Sequence, residues 1–288
     1  MYDINSLRYI VVSICDLCNE QCEICPHKFK EWRENHRDVM SIDTATILKK
    51  RLDEINYKGI VSISGMGEPL LNPYINNIID ILSKDRSYTL QIITNGIVLL
   101  KDNELLKYLL DRIDRLDISI HDMSRYDEFK ALQISDKVTL RNHDYNDKGN
   151  TLIMNNRAGA MNEYKYKELE RTHTHAIIWC YYPYYEIAID CDGYYLWCAH
   201  DWNKYSKDYK ANIRYHSIDW YFLKYTRDKK KNMYNKANVI LNGGLDYPCR
   251  YCNCCGVLDG EKEMEEFFKQ EGKRRDESWL NRLLKFLS

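Results

Sequence analysis

Cys18, Cys22 and Cys25 stand in the segment Cys-Asn-Glu-Gln-Cys-Glu-Ile-Cys. Three thiolates can hold three irons of a 4Fe-4S cube and leave the fourth iron open to a chelating ligand, so such a cluster can do chemistry as well as carry electrons. A zinc knuckle and buried structural thiols are the plainer uses of the same residues. A second set follows later in the chain. Cys180 and Cys198 flank an alternating stretch with a turn at Asp192-Gly193, which reads as a hairpin that brings the two thiols near one another. Pro248-Cys249-Arg-Tyr-Cys252 is a Cys-x2-Cys hook of the sort that grips a metal or cluster at a backbone turn. Cys15 and Cys191 read as ordinary buried or partly buried thiols.

The elements that position the first cysteines alternate between strand and helix up to roughly residue 135. Apolar runs at Tyr9–Ile14, Ile60–Ile63, Leu90–Ile93 and Leu116–Ile120 read as strands, and Val138–Arg141 and Leu152–Met154 are candidates for later ones. Ser41 caps a predicted helix with Ile42, Ala45, Leu48, Leu52 and Ile55 on one face. Asn72-Pro73 starts the next, with Ile75, Ile78, Ile79 and Leu82 inward, and Asp102 opens a third carrying Leu105, Leu106, Leu109 and Leu110. Repeated strand and helix imply parallel strands with right-handed crossovers, hence an α/β barrel or an open part of one.

Four segments, each at the C-terminal end of a predicted strand, resemble the motifs of the radical S-adenosylmethionine (SAM) enzymes. Cys-x3-Cys-x2-Cys resembles the cluster signature, in which SAM's amino and carboxylate groups occupy the open iron. Ser64-Gly-Met-Gly-Glu-Pro-Leu-Leu-Asn-Pro73 resembles the Gly-Gly-Glu-Pro segment that holds the SAM methionine, and glycines there suit a backbone that must approach a ligand closely. Thr94-Asn95-Gly96 and Ser119-Ile-His121 resemble the strand ends that line the SAM pocket. The resemblance implies cluster ligands Cys18, Cys22 and Cys25 and SAM contacts from Ile24, Gly65, Gly67, Glu68, Pro69, Thr94, Asn95, Ser119 and His121. It also implies a partial (β/α)6 barrel over residues 1–165.

The later cysteines resemble the SPASM and twitch extensions. A full SPASM domain would add cysteines where this chain has Leu258 and Lys262. The shorter twitch form is therefore expected over residues 166–260, with a second 4Fe-4S cluster on Cys180, Cys198, Cys249 and Cys252. Structural zinc is the alternative, and Cys254 or Cys255 could replace Cys252. Residues 261–288 read as a helical tail with a Trp279, Leu280, Leu283, Leu284 and Leu287 stripe, suited to packing on the barrel.

The pattern comes nearest to the twitch-containing aminocyclitol dehydrogenases. That implies reductive cleavage of SAM, hydrogen abstraction from a carbinol carbon and a two-electron oxidation to a ketone. Arg157, in Asn155-Asn-Arg-Ala-Gly159, resembles an Arg that faces substrate and is the candidate for orienting the reacting oxygen, with a structural salt bridge as its plainer role. Expected partners are a small-molecule substrate and an external one-electron donor such as flavodoxin or ferredoxin. Peptide modification is the rival reading, weakened because nothing before Leu7 is long enough for a dedicated peptide-recognition domain. A zinc-stabilised nucleic-acid adaptor is a third.

Charge speaks against the adaptor. With 42 basic and 43 acidic residues the formal net charge is -1, so no global field draws the chain to nucleic acid. At 288 residues, 44% hydrophobic, it can bury a full core. No signal peptide or membrane-length apolar run is apparent, so the expected location is the cytoplasm, where eleven cysteines point to metal ligation rather than disulfides.

Overall fold

Burial alternates residue by residue along two central strands, and that alternation decides which way the sheet faces. In β4 (Arg115–Ile120), Leu116, Ile118 and Ile120 are buried while Asp117 and Ser119 are half-buried. In β3 (Thr89–Thr94) the same two-residue period buries Leu90, Ile92 and Thr94. A computed structural model describes residues 3–22, 25–142, 185–204 and 206–226.

These strands join β1 (Tyr9–Val12), β2 (Ile60–Ile63), β5 (Val138–Asn142), β6 (Glu186–Ile189) and β7 (Tyr195–Leu196) in one seven-stranded sheet of order β5-β4-β3-β2-β1-β6-β7. All neighbours are parallel except the β6–β7 hairpin. The fold is thus α/β, an open and mostly parallel sheet among the described residues, as the expected partial barrel requires. β1 ends two residues before the apolar run does: Ile14 stays buried, but its carbonyl accepts from Met40 N–H rather than from a neighbouring strand. The expected hairpin forms, and its first strand pairs with β1, with Val11 opposite Ala188, so the sheet continues across the expected boundary at residue 165. The Leu152–Met154 candidate strand, the residues around Cys180 and the C-terminal tail lie outside the described residues.

The short helix α1 (Lys30–Asn35) follows β1, and one face of the sheet is covered by α2 (Ile42–Glu54), α3 (Ile75–Ser83) and α4 (Asn103–Leu110). Ser41 and Asp102 cap α2 and α4, their side chains accepting from the N–H of Thr44 and Leu105 at 3.1 and 2.8 Å, each worth about 1 kcal/mol. α3 buries all four residues expected of it, Ile75, Ile78, Ile79 and Leu82. In α2 the register differs at its start. Thr44, Ala45, Leu48 and Leu52 are buried whereas Ile42 is exposed and Ile55 half-buried. Helix and strand residues together form one core of Ile10, Val12, Val61, Ile63, Leu90, Ile92, Leu116 and Ile118 with Leu48, Leu52, Ile78, Ile79, Leu106 and Leu109. The opposite face looks into the barrel interior.

Candidate cofactor site

The cysteine loop begins where β1 runs out, and three neighbours hold it there. Asp16 N–H donates to Asp38 O at 2.8 Å, Glu68 N–H donates to Leu17 O at 2.7 Å, and Lys204 Nζ donates to the buried Asp16 carboxylate at 2.6 Å. Within the loop, Glu20 N–H points to Cys18 Sγ at 3.5 Å, and Cys25 N–H donates to Cys22 O at 3.0 Å. Pro26 then starts a turn of 3-10 helix. Burial raises the Cys18 thiol to about 12 and Cys22 further still, and each is raised again by the neighbouring cysteines, with Cys25 acting on both. Three half-buried thiols close enough to repel as thiolates are a donor set that needs a cation to ionise together. Among the described residues the cysteines form no disulfide, and no three acidic, His or Cys side chains converge on a single metal ion. A cubane does not ask for such convergence, since each thiolate ligates a different iron. The residues present fit a cluster; Ile24 lies outside the described residues.

Gly65 and Gly67 are there for a nearer neighbour than a ligand. A Cβ on Gly67 would lie 2.5 Å from both Cys15 O and Leu17 O, and Gly65, at φ +121°, faces Ser13. Glycine lets the segment after β2 lie flat against the start of the cysteine loop, so the close approach expected from the sequence is backbone to backbone. Glu68 is buried and fully engaged: Oε1 accepts from Leu70 N–H at 3.0 Å and Thr94 Oγ1 at 2.6 Å, and Oε2 accepts from Asn95 N–H at 2.8 Å. Burial raises its carboxyl to about 7 although those hydrogen bonds oppose the shift. Pro69 is buried at the start of a short 3-10 turn.

Glu68 therefore pins the end of β3, and Asn95 in turn reaches the cysteine loop. Its Nδ2 donates to Asn19 Oδ1 at 2.7 Å and lies 4.0 Å from Cys18 Sγ. Ser119 sits on the interior face of β4, one step beyond the Thr94–Ile118 pair, and His121 follows at the strand end. Cys18, Cys22, Cys25, Gly65, Gly67, Glu68, Pro69, Thr94, Asn95, Ser119 and His121 thus gather at the C-terminal ends of β1 to β4, where α/β sheets present their ligand sites.

Of the four cysteines expected to hold a second cluster only Cys198 is described. It is buried just after β7, and the next residue's N–H, of Ala199, donates to Glu186 Oε1 at 2.9 Å. Cys180, Cys249, Cys252 and Arg157 lie outside the described residues, as do Cys254 and Cys255. Sequence reasoning passed over Asn72 as a supporting residue. Its buried Nδ2 donates to Ile14 O at 2.6 Å and Met40 O at 3.1 Å, tying the Gly65–Pro69 segment to the end of β1. It also missed the polar residues on the interior face, Ser62, Gln91, Asp117 and Arg141, whose signal was their alternation with apolar residues along each strand.

The radical SAM superfamily profile matches residues 12–152, a span that contains every one of the four motifs. The chain carries a radical SAM domain. Such domains bind a 4Fe-4S cluster and SAM. Over 128 residues the chain is 30% identical to the GTP 3′,8-cyclase of Alkaliphilus metalliredigens (strain QYMF), a match to 44% of this chain and 38% of that protein, so the chain spans well under half the length of its curated relative. Its fold is similar to that of BtrN in complex with AdoMet and 2-DOIA, with a TM-score of 0.69, 20% identity, and coverage of 89% of this chain and 96% of that one. BtrN in an open conformation gives a TM-score of 0.60 at 18% identity, over 86% of this chain and 92% of that one. Among the described residues no helix is long and apolar enough to cross a membrane.

Proposed function

We propose that this chain is a radical SAM dehydrogenase that oxidises a carbinol carbon on a small aminocyclitol or sugar. The observation that carries the reading is the extent of the likeness to BtrN, which runs through nearly the whole of both chains and so reaches well beyond the radical SAM domain. BtrN was crystallised with AdoMet and 2-DOIA, and a ligand of that class is the substrate proposed here.

When bound, the first cluster and SAM would supply reductive SAM cleavage and a 5′-deoxyadenosyl radical able to take a hydrogen atom from carbon. The chain's own residues position and enclose that chemistry. Cys18, Cys22 and Cys25 would hold the first cluster, while Glu68 keeps Thr94 and Asn95 in place beside it. Ile24, Gly65, Gly67, Pro69, Ser119 and His121 are proposed to line the SAM pocket. Cys180, Cys198, Cys249 and Cys252 are proposed to hold a second 4Fe-4S cluster, and Arg157 to orient the substrate oxygen. An external one-electron donor completes the assignment.

The second reading is a cyclase on GTP, favoured by the 30% identity to GTP 3′,8-cyclase. Anaerobic incubation with SAM, a reductant and a carbinol-deuterated aminocyclitol separates the two. Deuterium in 5′-deoxyadenosine together with one ketone per SAM is the expected result. Consumption of GTP without label transfer from the aminocyclitol would replace the dehydrogenase by the cyclase.

A further inference from the structure

The interior face of the sheet has two unlike walls. Toward β1 and β6 it is mostly apolar: Ala188, Leu196, Met66, Trp32 and Trp202 form a buried cluster against which Val11 packs, with the buried Glu186 two residues before Ala188 as the one carboxylate of β6 on that face. Toward β3, β4 and β5 it is polar, and it converges on one carboxylate. Gln91 Nε2 donates to Asp117 Oδ2 at 2.8 Å, and Arg141 Nη1 stands 3.8 Å from the same oxygen. Both partners reach Asp117 on the diagonal, since the residues directly opposite it are Ile93 and Thr139. Asp117 Oδ1 takes no hydrogen bond from the described residues. The Asp117 side chain is 16% exposed, whereas that of Arg141 is 44% exposed.

We infer that Gln91, Asp117 and Arg141 are specificity-determining residues that receive the hydroxyl and amino groups of the substrate, an inference that rests on the dehydrogenase reading above. A half-buried carboxylate on an inward-facing strand position is costly unless something uses it, and a strap between β4 and β5 would be better made by a closer, bidentate Arg. The observed arrangement leaves one acceptor oxygen open between an amide and a cation. That matches a ring bearing neighbouring donors and acceptors, and the apolar wall suits the C–H face of the same ring. Location agrees as well. Asp117 lies one inward position below Ser119 on β4, roughly 7 Å along the strand, so a molecule held there has its carbon skeleton beside the SAM end of the barrel.

Isothermal titration calorimetry of the anaerobically reconstituted full chain with SAM tests the assignment, using 2-DOIA and GTP as separate probes. Expected is binding of 2-DOIA that weakens roughly tenfold or more in Asp117→Asn and Arg141→Gln and by less in Gln91→Leu. Arg115→Gln, on the same face at the far end of β4, should bind as wild type, and iron content should be equal throughout. Binding of 2-DOIA by the Asp117 variant at wild-type strength would overturn this inference while leaving the dehydrogenase reading in place. Binding of GTP alone, or of neither probe, would overturn both.

Discussion

The two faces of the central sheet are built from the same strands and obey opposite rules. On the helix side Ile10, Val12, Val61, Ile63, Leu90, Ile92, Leu116 and Ile118 are fully buried and wholly apolar. On the interior side stand Ser62, Gln91, Asp117, Ser119 and Arg141, and at the strand ends the cysteine loop and Glu68. Apolar burial stabilises the fold in proportion to area and asks little of geometry. Polar groups on the interior face contribute little to stability unless paired, so their presence there points to a ligand. The difference predicts that substitutions should separate by face: stability from one, chemistry from the other.

The largest effect should come at the strand ends. Cys18→Ala is expected to abolish reductive SAM cleavage and to remove one cluster's worth of iron, with the far-UV circular dichroism of the folded chain kept. Cys198→Ala should lose iron too but retain some SAM cleavage uncoupled from product, because the two cysteine sets are assigned different jobs. Equal loss of SAM cleavage in both folded variants would erase the distinction between them.

Next in size is the helix face. Ile118→Ala deletes a buried side chain between β4 and the helices and should destabilise the chain by about 2–5 kcal/mol in chemical denaturation. Ser62→Ala, on a neighbouring strand but the other face, should shift stability by under roughly 1 kcal/mol. A Ser62→Ala loss as large as that of Ile118→Ala would break the comparison, since it would make the interior face part of the structural core.

The smallest expected effect is a pH dependence on β6. Glu186 is buried, and desolvation raises its carboxyl to about 7 against the usual 4.5, partly opposed by the Ala199 N–H it accepts. The folded state therefore holds this proton more tightly than the unfolded state. Its contribution is fully present below about 4.5 and is lost as pH rises through about 7. Glu186→Gln keeps the acceptor for Ala199 and cannot ionise. The wild-type protein should accordingly become less stable relative to Glu186→Gln between those limits, by on the order of a few kcal/mol. Urea midpoints of the two proteins measured across that range should diverge with rising pH; parallel curves would place the proton elsewhere.

Much of the site was legible before any coordinates. Each motif used a local signal that survives folding unchanged: cysteine spacing, a Gly-Met-Gly turn, an Asn-Gly after a strand, a Ser two residues before a His. The helices were legible because their caps, Ser41 and Asp102, act on residues three positions away. Gly67 suits close approach to a ligand by its local sequence, whereas the atoms a side chain there would meet, Cys15 O and Leu17 O, are some fifty positions distant in the chain. Asn72 was read only as a helix start for the same cause: its buried partners are the carbonyls of Ile14 and Met40. Local spacing cannot report a partner that arrives from another strand.

By itself the sequence determined the α/β class, the order of the strands in the chain and the radical SAM motifs, since periodicity and short-range spacing are set by covalent neighbours. Only the tertiary structure decided that β6 joins the sheet beside β1, that Glu68 spends both carboxylate oxygens on β3, and that Gln91 and Arg141 meet at Asp117. Each of those depends on which strands become neighbours and in what register, and a shift of a single residue would turn every one of these side chains to the opposite face.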